Sequence, residues 1–377
     1  MNYLFITGLY RSGTTLLQKI LQNHPNVFSA DQPLPNLYIY LKSKFYFEKN
    51  ITDNNILGTL FNNKYQLSEF IDFIEKYTLT EKDFEIIFNN AREFSGVNSK
   101  KIFNISEKFE SGNLFNVYKQ ICEFLSEEYN KSDVLYKGTK EIITEEYIPY
   151  FLNNDIKVIL IIRDIRDIIN SVVMGKGADF IGDVRPTLFN IRNWRKSVAY
   201  YIKFKENSNF LTVKYEDLVE KPKSTLNKIS KFLKLEQFDI ELLNKGLNDY
   251  TGQWNGNSSF HSYDIISSKS VGKYKDNLNK NYIRYIENLC LPELKYLNYK
   301  IQVSEFEDIS FLDKFTEPFK VNHKLFDKNY SKSKENINLE KNRINYLLGN
   351  IEINKELYFI FENIAEILRK QIKKCQI

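Results

Sequence analysis

The chain has 377 residues, of which 42% are hydrophobic, 15% aromatic and 27% charged, and 53 basic against 48 acidic residues leave a net charge of +5. The length suits one large α/β domain with an appendage, or two modest domains, and so small a charge argues against nucleic-acid binding. Three scattered cysteines and three scattered histidines argue against a disulfide framework and a zinc site. The chain opens on an apolar run without a basic leader, and no run approaches the roughly 18 apolar residues of a membrane span. We therefore expect a cytoplasmic protein.

The first predicted strand and helix enclose a glycine-containing turn. Gly8-x4-Gly13-Thr14-Thr15 has the spacing of a P-loop, but Thr14 stands where that motif has its lysine. Since the lysine reaches the β- and γ-phosphates of a nucleoside triphosphate, its absence argues against an enzyme that uses ATP or GTP. A single terminal anion could still bind the backbone N–H groups and three side chains, Arg11, Ser12 and Thr15. A glycine turn of this kind can also join a strand to a helix and bind nothing.

A second predicted strand, Val27–Ala30, ends at Asp31, Gln32 and a proline. Its carboxyl end would place Asp31 where an open parallel sheet holds its ligand, although an aspartate there can also be a simple turn residue. From about residue 38 to 130 the pattern is aromatic and mostly helical. We read its aromatic side chains as core and the insertion as the candidate acceptor region. Apolar residues recur there at helical spacing in three segments: Leu67–Tyr77, Glu81–Phe94 and Leu114–Tyr129.

Two further predicted strands end in cationic residues. Val134–Glu141 carries Lys137 and Lys140 where the chain leaves the strand, and two solvated surface lysines are the plainer reading. Val158–Ile162 is a continuous apolar run, which is typical of a strand buried on both faces. Arg163 follows it, and Ser171 lies two helical turns later, so both suit a second anion. The alternative is an ordinary ion pair on the helix between Arg163 and Asp167.

The remaining elements complete an α/β pattern. Their order predicts a doubly wound parallel sheet over residues 1–300, interrupted by the helical insertion. Residues 301–330 lack clear periodicity and read as a connecting segment. Residues 331–377 form a predicted helical extension whose apolar stripe must pack on the domain or pair with a second chain. The predicted elements are the helix Ile191–Lys205, the strand Phe210–Leu218, the helix Ser224–Leu235, the loop Thr251–Ser270 and the helix Asn336–Lys374, with a break at Gly349.

Four stretches, in order and at plausible spacing, resemble the sulfotransferase family. They are GLYRSGTTLLQKILQNHP (8–25), VILIIRDIRDIINS (158–171), VKYEDLVEKP (213–222) and SVGKYKDNL (270–278). In motif style they are similar to bacterial, carbohydrate and tyrosylprotein sulfotransferases. The resemblance covers roughly residues 1–300, and neither the insertion nor the tail after residue 300 carries a motif of that family. It implies a P-loop-type sheet and transfer of a sulfuryl group from 3′-phosphoadenosine-5′-phosphosulfate (PAPS) to an acceptor, with adenosine 3′,5′-bisphosphate (PAP) as product.

The resemblance also implies roles for particular residues. The 5′-phosphosulfate would bind at Arg11, Ser12, Gly13, Thr14 and Thr15. The 3′-phosphate would bind Arg163 and Ser171, with Lys273 closing over the cofactor and Tyr215 touching it. Lys140 would be the family's lysine before the second anion site, with Lys137 as runner-up. Asp31 would be the general base. If the register slips by one residue, Gln32 takes that place, and Glu107 or Glu141 comes next.

These assignments predict an in-line displacement in which a carboxylate deprotonates an acceptor hydroxyl, for which a glycan is the first expectation. Arg11 and Lys140 would stabilise the developing charge, so no metal is required. Two other functions stay open. A P-loop kinase would need the missing lysine, and a non-catalytic nucleotide-binding scaffold would act through the C-terminal helix, which is also a candidate homodimer contact.

Overall fold

Five parallel strands form the central sheet, in the spatial order β2-β3-β1-β4-β5. They are β1 (Asn2–Gly8), β2 (Val27–Asp31), β3 (Tyr136–Lys140), β4 (Lys157–Ile162) and β5 (Phe210–Lys214). Because β1 lies in the middle and the chain builds outward to both edges, the sheet is doubly wound, as predicted. The computed structural model describes residues 2–52, 64–91, 108–176, 179, 183–249, 252–254, 256, 265–327 and 329–373.

Both faces of the sheet are covered by apolar side chains, which explains the continuous apolar run in β4. Val158, Leu160 and Ile162 point into one core cluster, while Ile159 and Ile161 point into a second cluster on the opposite face. A strand alternates its side chains between faces, so only a strand buried on both sides is apolar at every position. The helices therefore have to lie on both sides of the sheet.

The helices of the first half lie as follows. They are α1 (Thr14–Gln22), α2 (Pro35–Glu48), α3 (Leu67–Lys76), α4 (Glu81–Ala91), α5 (Leu114–Glu128), α6 (Ile148–Asn153), α7 (Ile165–Val173) and α8 (Thr187–Phe204). The described part of the insertion is helical, as predicted, and many of its aromatic side chains belong to the core: Tyr38, Phe45 and Phe70 are buried, whereas Phe47 is exposed. Phe94 and Glu107, which the predictions included, lie outside the described residues.

The second half holds ten more helices among the described residues. They are α9 (Tyr215–Glu220), α10 (Pro222–Leu233), α11 (Ile240–Asn244), α12 (Tyr274–Asn277), α13 (Lys280–Leu289), α14 (Leu291–Tyr296), α15 (Phe311–Lys314), α16 (Lys334–Leu348), α17 (Lys355–Phe359) and α18 (Glu362–Lys373). The predicted loop at residues 251–270 contains one strand of a small hairpin, β6 (Asn248–Asp249) with β7 (Gly252–Gln253). Much of that loop lies outside the described residues.

Two predicted elements need correction. The predicted strand Phe210–Leu218 ends at Lys214, and α9 begins at Tyr215. The helix predicted to be amphipathic, α8, is instead buried at 15 of its 18 residues. Charged residues are tolerated on its inner surfaces because they are paired: Arg192 and Arg195 both contact the carboxylate of Glu340.

The C-terminal helices cover the side of α8 that would otherwise face solvent. The predicted break is confirmed, since α16 ends at Leu348 and the next residue, Gly349, caps it with φ 92°. Apolar residues of α16 and α18, including Ile344 and Ile364, join the same core cluster as α8. Their apolar stripe therefore packs on the domain. Pairing with a second chain stays a prediction, as do the two boundaries at residues 300 and 330. Within the described ranges, no helix is both long and apolar enough to cross a bilayer.

Candidate active site

All five strands end at the same edge of the sheet, and every predicted site residue except Ser171 and Lys273 lies at the end of one of these strands or just past it. The P-loop-like turn follows β1, Asp31 ends β2, Lys140 ends β3, Arg163 follows β4 and Tyr215 follows β5. The carboxyl edge of an open parallel sheet is where ligands bind in such folds. Ser171 reaches the same place from the last turn of α7.

The turn after β1 has the conformation of an anion-binding loop. Arg11 has φ 59° and Gly13 has φ 94°, so both residues are left-handed. A Cβ on Gly13 would lie 2.4 Å from a ring carbon of Tyr215, which requires glycine on steric grounds as well. Helix α1 starts at Thr14, and the first N–H groups of a helix have no partner within it. These N–H groups, beside buried Ser12 and Thr14, are suited to an anion.

The first and second motifs meet through two arginines. Arg11 Nε donates a hydrogen bond to Ser171 Oγ at 3.0 Å, and Arg163 Nη1 donates to the carbonyl oxygen of Arg11 at 3.0 Å. Burial, together with the nearby charge of Arg163, lowers the pKa of Arg11 to about 10. Two guanidinium groups this close repel each other, and a bound anion would relieve that repulsion.

Arg163 is fixed from several sides. Its guanidinium lies 4.3 Å from the ring centre of Tyr215, and its Nη2 donates to the carbonyl of Ser270 at 2.6 Å. Its own carbonyl accepts a hydrogen bond from Trp194 Nε1 at 2.8 Å. The Nε of Arg163 is buried and has no hydrogen-bond partner among the described residues. An anion at this position would supply the missing acceptor.

The alternative of a helix ion pair between Arg163 and Asp167 is not the arrangement seen in the described part of the chain. The arginine donates to backbone carbonyls, and both carboxylate oxygens of Asp167 accept from backbone N–H groups of Gly272 and Tyr274. Lys273, half-buried, lies between those two residues at the start of α12. The hydrogen bonds of Asp167 therefore join the fourth motif (270–278) to the second motif (158–171).

Lys140 and Asp31 are neighbours at the ends of β3 and β2. Lys140 Nζ lies 2.5 Å from Asp31 Oδ1 and donates to Gln32 Oε1 at 3.0 Å. The reading of Lys137 and Lys140 as solvated surface lysines is wrong, because each is only 1% exposed. Lys137 contacts Glu123 of α5 instead of Asp31. Side chains alternate between the two faces of a strand, so residues three positions apart lie on opposite faces. This alternation could have predicted from the sequence that Lys137 and Lys140 have different surroundings.

Glu141, the next candidate base after Asp31, is fully buried. Burial raises its pKa to about 8, with the charge of Asp31 adding to the effect and that of Lys140 opposing it. Its Oε1 has no hydrogen-bond partner among the described residues. Asp31 differs, since about a quarter of its side chain (23%) is exposed. Of these two carboxylates, Asp31 is the one that an acceptor can reach from solvent.

Sequence reasoning missed the residues that hold this edge together. Glu216, in the third motif, accepts from the N–H of Asp164 at 2.9 Å and from the hydroxyl of Tyr299 at 3.0 Å. Burial raises the pKa of Glu216 to about 7. On the other side of the turn, Tyr10 donates to Asn190, and the guanidinium of Arg185 lies 5.1 Å from the Tyr10 ring centre. In the sequence, Glu216 could have been noticed only because it lies in the third motif. Arg185 lies in none of the four motifs, so the sequence did not point to it.

A strand–turn–helix turn beside a second arginine, at the switch point of a doubly wound sheet, places the chain among α/β proteins whose sheet edge is suited to an anionic ligand. The family comparison identifies which one. A model described as "Sulfotransferase family" matches residues 4–239, so the chain belongs to the sulfotransferase family. The matched range contains the first three motifs, and the fourth lies beyond it. The protein is therefore a sulfotransferase.

Solved structures give further matches. A sulfotransferase domain from the curacin biosynthetic pathway is 20% identical, with 80% of this chain and 98% of that chain covered and a TM-score of 0.47. A sulfotransferase domain from the olefin synthase of Synechococcus PCC 7002 is 18% identical, with 80% and 96% covered and a TM-score of 0.46. A mouse sulfotransferase complexed with PAP is 12% identical, with 78% and 84% covered and a TM-score of 0.39. No curated protein sequence matches the chain.

Proposed function

We propose that this sulfotransferase uses PAPS as donor and transfers its sulfuryl group to an acceptor hydroxyl. The observation that carries the proposal is the pair of guanidinium groups of half-buried Arg11 and buried Arg163, held together at the end of the sheet with Ser171. Their mutual repulsion, the lowered pKa of Arg11 and the unpartnered Nε of Arg163 all favour an anionic ligand. The threonine at position 14 argues against a triphosphate, so a nucleotide with separate 5′ and 3′ anions suits the site better.

The two anions are assigned to different parts of the site. The 5′-phosphosulfate would lie on the α1 N-terminus, against Arg11 and the residues Ser12 to Thr15. The 3′-phosphate would lie against Arg163, Ser171 and Lys273. Tyr215 packs on both Gly13 and Arg163, so it would border the nucleotide between the two anions. Because Arg11 already touches Ser171, the two anion positions share a border.

The donor supplies an activated sulfuryl group, and the chain supplies position and charge. Asp31 would accept the proton of the acceptor hydroxyl as the acceptor oxygen forms its bond to sulfur and the bond from sulfur to the phosphate oxygen breaks. Lys140 and Arg11 would stabilise the charge that develops on the leaving phosphate. The ion pair between Lys140 and Asp31 holds the cation and the base at one point of the sheet edge.

The acceptor that we would test first is a glycan hydroxyl. Helix α2 of the insertion begins at Pro35, shortly after Asp31, so the insertion is the nearest described segment from which an acceptor wall could be built. Asp31 can deprotonate any alcohol that reaches it, and an acceptor panel should therefore run from oligosaccharides to non-sugar alcohols.

Calorimetric titration with PAP tests the proposal without knowledge of the acceptor. We expect binding to the wild-type protein and a loss of at least roughly tenfold in affinity for Arg163→Ala, since a charged hydrogen-bond donor is removed. Arg284→Ala is the matched control, because Arg284 lies exposed on α13, outside the site, and pairs with Glu307. Absence of binding to the wild type, or equal binding by Arg163→Ala, would overturn the proposal. Magnesium-dependent turnover of ATP would revive the kinase alternative.

A further inference from the structure

The segment Ser270–Tyr274, here called the closing loop, is fastened to helix α7 by one side chain. Asp167 Oδ2 accepts a hydrogen bond from the N–H of Gly272 at 2.7 Å, and Oδ1 accepts from the N–H of Tyr274 at 3.0 Å. Lys273 lies between these two anchored residues. Arg163 adds a third connection through the carbonyl of Ser270 at 2.6 Å.

The position of Asp167 needs a reason, because a carboxylate is an unfavourable neighbour for a phosphate site. Asp167 is buried on α7 and lies one helical turn before Ser171, on the same side of the helix. A carboxylate there would repel the 3′-phosphate unless its charge were balanced. Two N–H donors and the nearby charge of Arg163 provide that balance, although burial still raises the pKa of Asp167.

Few other residues at position 167 could accept both of these hydrogen bonds. Each carboxylate oxygen serves a different N–H group, so two acceptors are needed on one short side chain. An asparagine offers one acceptor oxygen and would turn an NH2 group toward the second N–H. Gly272, the first of the two anchored residues, has φ 74° and lets the chain turn at this point.

We propose that Asp167 is a positioning residue that holds Lys273 against the 3′-phosphate of the nucleotide. Through Lys273, Asp167 sets the protein's preference for nucleotides that are phosphorylated at the 3′ position. The proposal rests on the proposed function, since it takes Lys273 as a ligand of that phosphate. It assigns Asp167 no contact with the nucleotide. Its effect should therefore depend on Lys273 and on the presence of the 3′-phosphate.

A double-mutant cycle measured by calorimetry tests this dependence. We expect Asp167→Asn to weaken PAP binding by roughly tenfold while leaving binding of adenosine 5′-monophosphate, which lacks the 3′-phosphate, unchanged. In a Lys273→Ala background the same substitution should have little further effect on PAP. Additive losses, or an equal loss for both nucleotides, would overturn the proposal, because either result indicates a general structural role.

Amide hydrogen exchange on the wild-type protein gives a second measurement that does not depend on a variant that folds. We expect the N–H groups of Gly272 and Tyr274 to exchange slowly even without nucleotide, and fast exchange at both would overturn the proposal. The two proposals fail separately. Absence of PAP binding to the wild type removes the proposed function, whereas normal PAP binding with additive losses removes only the role of Asp167.

Discussion

Arg11 Nε and Ser171 Oγ lie 3.0 Å apart, although 160 positions separate the two residues in the chain. This contact joins the turn after β1 to the end of α7 and brings the first two sulfotransferase motifs into one site. If the two anions bind as proposed, this guanidinium borders both of them and can act on the sulfuryl group and on the leaving phosphate.

Replacing Arg11 should therefore impair turnover more than folding. We expect Arg11→Ala to lower kcat by roughly 100- to 1000-fold, the range for loss of one donor that stabilises developing charge. Release of adenosine 3′,5′-bisphosphate measures turnover, and thermal unfolding checks the fold. Arg284→Ala should leave the rate unchanged, and an Arg11→Ala enzyme with wild-type turnover would remove Arg11 from the mechanism.

The two buried lysines of β3 provide a matched pair. Lys140→Ala should lower turnover steeply, because its ammonium lies at the sheet edge beside Asp31. Lys137→Ala should reduce stability instead, since it removes the ion pair with Glu123 on the other side of the strand and leaves that carboxylate, within the described part of the chain, only the hydrogen bond from Tyr3. Rates and melting temperatures of the two variants, measured side by side, decide the assignment. A larger loss of turnover in Lys137→Ala would exchange the roles of the two lysines.

Asp31 is expected to act on the acceptor and not on the donor. Asp31→Asn should abolish sulfation of an acceptor and retain PAP binding within a few-fold, because the carboxylate is needed only to take the proton. Transfer of labelled sulfate and calorimetry measure the two properties independently. If the variant sulfates at the wild-type rate, the base lies elsewhere, and Glu141→Gln becomes the next variant to assay.

Stability should depend on pH through Glu141. Its pKa in the folded protein is raised to about 8, so between its ordinary value and about 8 the folded state holds a proton that the unfolded chain has released. The contribution of this proton to the free energy of unfolding is fully present below the ordinary pKa of a glutamate. It is lost as the pH rises from that value to about 8. Urea unfolding at about pH 5 and about pH 8 should show a larger loss of stability for the wild type than for Glu141→Gln. Parallel losses in the two proteins would contradict the assignment.

The C-terminal helices should contribute strongly to stability through Glu340. This buried carboxylate pairs with Arg192 and Arg195, so Glu340→Gln leaves buried guanidinium charge uncompensated and should cost about 3–5 kcal/mol. The adjacent Lys341 pairs with Asp313 at the surface, and Lys341→Gln should cost at most about 1 kcal/mol. Chemical unfolding compares the two variants. Equal costs would mean that the buried pairs do not hold the C-terminal helices on the domain.

The sheet edge could be predicted from the sequence because the information there is local. Apolar runs identify β1 and β4, and the residues that follow a parallel strand share one edge whatever else the chain does. Arg163 could be placed at that edge for this reason. The hydrogen bonds of Asp167 could not be predicted, because its partners lie 105 and 107 positions away and their approach depends on how the loop packs.

Burial was the other property that local patterns did not carry. The buried charges of α8 resemble a solvated helix face until the C-terminal helices cover them, so the helix was expected to be amphipathic. The end of β5 was misplaced for a related reason. By propensity, Tyr215 is a favourable strand residue. In the structure it is instead the first residue of α9, and its ring packs against Gly13 and the guanidinium of Arg163.

The most direct test of the central claim is a crystal structure of the wild-type protein with adenosine 3′,5′-bisphosphate. We expect the 5′-phosphate to lie on the N–H groups at the start of α1, beside Arg11, and the 3′-phosphate to accept hydrogen bonds from Arg163 and Ser171. Lys273 should lie against the same 3′-phosphate, with both hydrogen bonds of Asp167 intact. A nucleotide bound away from the carboxyl edge of the sheet, or with its 3′-phosphate remote from Arg163, would contradict the proposed site.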